Sequence, residues 1–121
     1  MASELRVNTL KDASGNNSVA TSVVFNGTAK VWVNGDTDAS ILDSTNVSSS
    51  SDQGTGHYQY NFTSNMVNAL YAGSGASENG AIIFSINQTG KATSSYQVRN
   101  VTHADVDIDM KHGSATHGDL A

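Results

Sequence analysis

The stretch Gly54–Met66, GTGHYQYNFTSNM, decides the fold. Tyr58, Tyr60 and Phe62 occupy every second position, with His57, Gln59 and Asn61 between them. Successive side chains of a strand point to opposite faces, so the three aromatics line one face and the polar residues the other. A Gly-x-Gly turn leads in. The aromatic face reads as core, because solvent suits the opposite one. A subunit interface and a sugar platform are the other uses such a face could have.

Working outward, strand signals dominate. VATSVVF (19–25) reads as a strand closed by the turn pair Asn26-Gly27, and TAKVWV (28–33) as one closed by Asn34-Gly35. ASILDSTNV (39–47) is β-prone, and SSSSDQGTG (48–56) reads as a loop. TSNMVNALYAG (63–73) offers the one short helix, with Thr63 or Ser64 as cap and Met66, Val67 and Leu70 on one face. GSGASENG (73–80) reads as a loop. AIIFSIN (81–87), SSYQVRNV (94–101) and ADVDIDM (104–110) read as strands, and HGSATHGDLA as a polar tail.

Short strands punctuated by Gly and Asn turns at roughly 8–12-residue intervals predict an all-β fold. The expectation is an antiparallel β-sandwich, jelly-roll-like, with a short extended N-terminal arm and at most one short helix. The arm takes residues 1–26 and the sandwich residues 27–121. The expected core holds Val31, Val33, Tyr58, Tyr60, Phe62, Ile83, Ile86, Val106 and Ile108. Leu5, Val7 and Leu10 of the arm are expected to attach or intertwine. Trp32, of opposite parity to Val31 and Val33, is expected to face a neighbouring subunit, since aromatics are enriched at interfaces.

Composition bounds function. The 121 residues include no Cys and no Pro, which excludes disulfides, zinc–thiolate sites and cysteine nucleophiles. Charged residues make up 14%, against roughly 25% in ordinary domains. The net charge of −5 and the scattered cations argue against a nucleic-acid partner. The opening MASELRVNTL lacks an apolar signal region, so no secretory leader is expected. The longest apolar run, AIIF, is far too short to span a bilayer, and no membrane insertion is expected.

Candidate chemistry is thin. His103, Asp105, Asp107 and Asp109 alternate in HADVDIDM, three carboxylates and an imidazole of metal-ligating type. Alternate residues on one strand stand nearly 7 Å apart, however, so a strand alone cannot wrap an ion. The ladder reads better as a solvated face that blunts a sheet edge. GDTD (35–38) lacks the later ligands of a calcium loop. GSGASENG lacks the Lys-Ser/Thr ending of a phosphate loop. No nucleophile elbow or metalloprotease spacing is present. No catalytic residue and no cofactor are expected.

Three stretches nevertheless point to a family. SELRVNTLKDASGNNS (3–18), GTAKVWVNGD (27–36) and ILDSTNVSSSSDQGTGHYQYNFTSNM (41–66) resemble tail-fibre and virion proteins of marine tailed bacteriophages. The shared pattern is an opening strand before a Ser-Gly-Asn turn, a G-T-A-K-x-W-V strand, a D-x-G-T-G turn and a Y-x-x-N-F-T strand. The closing GDLA also resembles the usual end. The stretch 72–110 departs from the pattern. The resemblance implies a non-enzymatic, β-rich virion structural protein. It implies a homotrimer, joined through its arm to other virion proteins of tail or capsid, assembled in the host cytoplasm and released by lysis. A tail-fibre-like appendage touching the host surface, through a glycan for instance, is the first expectation. A capsid decoration protein and a carbohydrate-binding module are the alternatives.

Overall fold

A computed structural model describes Ala2–Ala121; Met1, the first residue of the expected arm, lies outside the described residues. Two strands, β1 (Thr9–Lys11) and β2 (Ser18–Ala20), form a hairpin, and α1 (Thr21–Gly27) follows. Eight further strands make an antiparallel sandwich. They are β3 (Val31–Gly35), β4 (Ile41–Thr45), β5 (Val47–Gly54), β6 (His57–Phe62), β7 (Ala72–Ser77), β8 (Ile83–Ala92), β9 (Ser95–Val101) and β10 (His112–His117). One sheet has the order β4-β3-β10-β7, the other β5-β6-β9-β8. Sequential hairpins keep β3 with β4, β5 with β6 and β8 with β9. The all-β sandwich is therefore the fold.

Alternation fills the space between the sheets. Tyr58, Tyr60 and Phe62 of β6 point inward and are buried, opposite Val31 and Val33 of β3. Tyr60 pairs in register with Tyr96 of β9, and their rings lie 5.7 Å apart. Phe62 meets Tyr71 edge-on at 5.9 Å, a geometry that the ring quadrupoles favour. Ile86 packs against this cluster from β8.

Several expectations are corrected. VATSVVF is not a strand: Ser18–Ala20 pairs with β1, and the remainder winds into α1. Its β-branched residues suit either state when nothing buries them. The helix expected at 63–73 is absent. Met66 and Tyr71 plug one end of the sandwich there, and Met66 bridges to Leu120. Ser48–Gly54 is strand rather than loop, as is Ala72–Ser77. Asn34-Gly35 is not a turn. It continues β3, and the reversal comes at Asp36–Ser40, with Ala39 in the left-handed region at φ 69°. ADVDIDM is not a strand, because Asp105 turns left-handed at φ 56° and the chain folds back on Thr102. HGSATH, read as tail, is the inner strand β10 between β3 and β7.

The core changes accordingly. Ile83 lies on the outer face of β8 at 46% exposure, and Val106 stands 58% exposed in the loop that replaced its strand. Ile108 is half-buried in that loop, outside the core cluster. Their places are taken by Tyr96, Val98, Met66 and, at the centre, His112.

Candidate interaction surface

The arm is built from short-range bonds. Asp12 organises the hairpin turn: its carboxylate accepts from the Ser14 hydroxyl (2.9 Å), the Asn16 N–H (3.0 Å) and the Asn17 amide (2.7 Å). These bonds, that from Asn17 foremost, hold its carboxyl below the usual range. Gly15 supplies the left-handed residue at φ 72°. The Thr21 N–H and hydroxyl then donate to the Asn8 carbonyl, tying the helix start back to β1.

At the other end of α1, the Thr28 hydroxyl donates to the Val24 carbonyl at 2.6 Å. The Lys30 ammonium donates to the carbonyls of Phe25 and Thr28 and lies 4.3 Å from the centre of the Phe25 ring. Cations favour this end of a helix, where the free carbonyls gather. Lys30 is buried, and its N–H donates to the Thr116 carbonyl of β10. Arm and sandwich meet through this residue.

Among the described residues, none buries the apolar side chains of the arm. Leu5 is 80% exposed, and Val7, Leu10, Val23, Val24 and Phe25 are all exposed too. Leu10, Val24 and Phe25 line an open apolar groove closed by Thr28 and Lys30. The α1 helix buries no residue and has no side-chain N-cap. Trp32, the other expected interface residue, lies half-buried on the outer face of its sheet, level with Thr45 and Ala115.

The four acidic-ladder candidates are not brought together as ligands. Asp107 accepts from Arg99 at 2.8 Å, and its carboxyl is held low by Arg99 first and His57 second. Asp105 pairs with Arg99 at 3.2 Å. Asp109 turns the other way and accepts from the Gly56 N–H (2.7 Å) and the Tyr58 hydroxyl (3.0 Å). His103 is exposed. Among the described residues no cluster of three metal-ligating side chains exists.

A polar constellation of catalytic type lies in the core around His112. His112 stacks on Tyr58 at 5.0 Å and on Phe84 at 5.8 Å. Its Nδ1–H donates to the Met110 carbonyl at 2.9 Å, and its Nε2 accepts from the Tyr60 hydroxyl at 2.7 Å. Burial pushes the imidazole below its ordinary pKa, so it is neutral near pH 7. Burial likewise raises Tyr60 and Tyr96 and pushes Tyr71 up to about 12. His112 is 2% exposed, and both of its ring nitrogens are bonded within the protein. The sequence assigns His112 to a tail; its i, i+2, i+4 relation to Ser114 and Thr116 is the available signal. A depression lined by Asn34, Leu42, Glu78, Lys111 and His112 holds one carboxylate rather than a convergent pair.

No family model, no curated protein and no solved structure matches the chain. The arm, anchored at Lys30, leaves apolar surface uncovered, on a sandwich whose buried polar groups include the His112–Tyr60 pair.

Proposed function

We propose that this chain is a non-enzymatic structural subunit of a phage virion, a tail-fibre-like appendage protein that assembles as a homotrimer through its arm. The observation that carries the assembly reading is α1. A seven-residue helix that buries nothing is too short to hold in water by itself, and an isolated two-stranded hairpin is marginal. Both gain stability only when Leu10, Val23, Val24 and Phe25 meet a partner. The virion assignment adds the resemblance of residues 3–18, 27–36 and 41–66 to phage appendage proteins. Capsid decoration remains the second reading, because an arm of this kind serves a head lattice equally well.

Antibody labelling of intact particles by electron microscopy tests the proposal. Label on the tail is the expected result. Label over the head would replace the fibre reading with decoration. No label on any particle would overturn the virion reading and bring glycan-binding assays on the sandwich to the front.

A further inference from the structure

We propose that the free edge of β7 receives the N-terminal segment Glu4–Asn8 of a second copy as an added strand. This inference rests on the assembly reading above and names the contact that would build it.

The sandwich has four edge strands, β4, β5, β7 and β8. An unpaired edge presents a row of N–H and C=O groups, and stable proteins spoil such rows with charges, bulges or cover. Three edges are spoiled in this way. Strand β4 carries Asp43 and a register break opposite Asn34/Gly35. Strand β5 carries Asp52 and two breaks. Strand β8 carries Lys91 and a break between Asn87 and Ala92. Strand β7, AGSGAS, has no charge, and its six residues pair without a break along β10. Ala72–Ala76 are all exposed, so no loop of the chain lies over them. Its inward positions, Gly73 and Gly75, are pressed against Ile86 and Phe84, where a Cβ would clash with either side chain. The edge is thus held flat by a packed inner face.

The donor is the arm's N-terminal end, which Thr21 holds by the carbonyls of Val7 and Asn8 and which pairs with no strand of its own chain. Residues Ala2–Val7 have no regular structure and are exposed. Leu5 and Val7 alternate with Glu4, Arg6 and Asn8, the period of a strand with one apolar side. Leu70 stands 87% exposed two residues before β7, an uncovered neighbour for Leu5 at one end of the edge. Segment-to-edge pairing joins two different surfaces, so it repeats head to tail and gives a ring where the rotation between copies closes. A three-subunit ring fits such a contact.

The test uses the absence of native cysteine. Arg6→Cys chains are mixed with Ser74→Cys chains, one of the two carrying a mass tag, and treated with a short bismaleimide. Because the two thiols sit on different chains, only contact between copies joins them. The expected result is a covalent pair at least tenfold above that from Arg6→Cys mixed with Thr45→Cys, a thiol on edge β4. Adding Leu5→Asp to the Arg6→Cys chain is expected to abolish the excess. Equal linking at β4 and β7 would overturn the proposal. Native mass separates the two failures: an oligomer without selective linking removes only this contact, and a monomer removes the assembly reading as well.

Discussion

The arm and the sandwich treat apolar and polar groups in opposite ways. In the sandwich, Tyr58, Tyr60, Phe62, Tyr96 and Val98 are buried, and polar groups taken in with them are bonded, as His112 is to Tyr60 and Met110, with the Thr116 hydroxyl as an exception. In the arm, the turn and helix end are bonded with equal care, through Asp12, Thr28 and Lys30, yet Val23, Val24 and Phe25 face solvent. Local bonding fixes a shape but adds little stability; burial of apolar surface supplies most of it. The sandwich has both, whereas the arm has only the first.

Substitutions can break this contrast, and the largest effect belongs to Gly35→Ala. A Cβ there would run into the Tyr60 hydroxyl and the His112 ring, with its nearest approach to Nε2 at 2.9 Å. Overpacking of this kind costs about 3 kcal/mol, and a comparable fall in urea-unfolding free energy is expected. Wild-type stability for this variant would mean that the His112 cluster is looser than its geometry.

Next comes Tyr60→Phe, which leaves His112 Nε2 buried without its donor. The expected loss is about 1–3 kcal/mol by the same assay.

Acid should act through the same histidine. Its folded pKa lies below the ordinary value of 6.5, so the unfolded chain binds the proton first. Stability is therefore intact above about pH 6.5 and falls as pH drops through that value towards the folded pKa. Asp12, Asp38 and Asp107, whose folded pKa values are lowered from 3.8, lose their contributions only in more acid solution. Urea midpoints measured at pH 7.5 and pH 5.0 should differ for wild type and differ much less for His112→Gln.

The smallest effect on the fold itself sharpens the comparison most. Phe25→Ser changes an exposed side chain, so unfolding of the sandwich should shift by no more than about 0.5 kcal/mol. The oligomer seen by native mass should nevertheless weaken. A large loss of sandwich stability would show that the arm belongs to the core after all.

How much of this was legible depended on which face carried carbon. HYQYNF announced itself because its buried positions are aromatic and its outer ones polar. Strand β10 was hidden because its buried positions are His112, Ser114 and Thr116, which no hydrophobic period reveals. Strand β7 was hidden because its inward positions are glycines that make room for Phe84 and Ile86. ADVDIDM misled in the other direction. Its alternation is flawless, but Arg99 draws Asp105 and Asp107 to one side while Gly56 and Tyr58 hold Asp109 on another. Strand periodicity cannot see an ion pair to a residue outside the stretch, as Arg99 is. Leu5, Val7 and Leu10 were legible as exposed arm positions, but the wound state of Val23–Phe25 was not, because β-branched residues with nothing packed on them favour neither period.

Asn46 has a consequence for how the protein would bear load. A single residue at φ 59° separates β4 from β5, so the chain passes from one sheet to the other almost without a loop. The Asn46 side chain locks that corner, accepting from the Ser64 N–H at 2.7 Å and donating to the Ser64 carbonyl at 3.0 Å. The two sheets therefore cannot slide past each other as separate plates. A pull that parts them loads this corner first, at the Thr45 end of β4 and the Val47 end of β5.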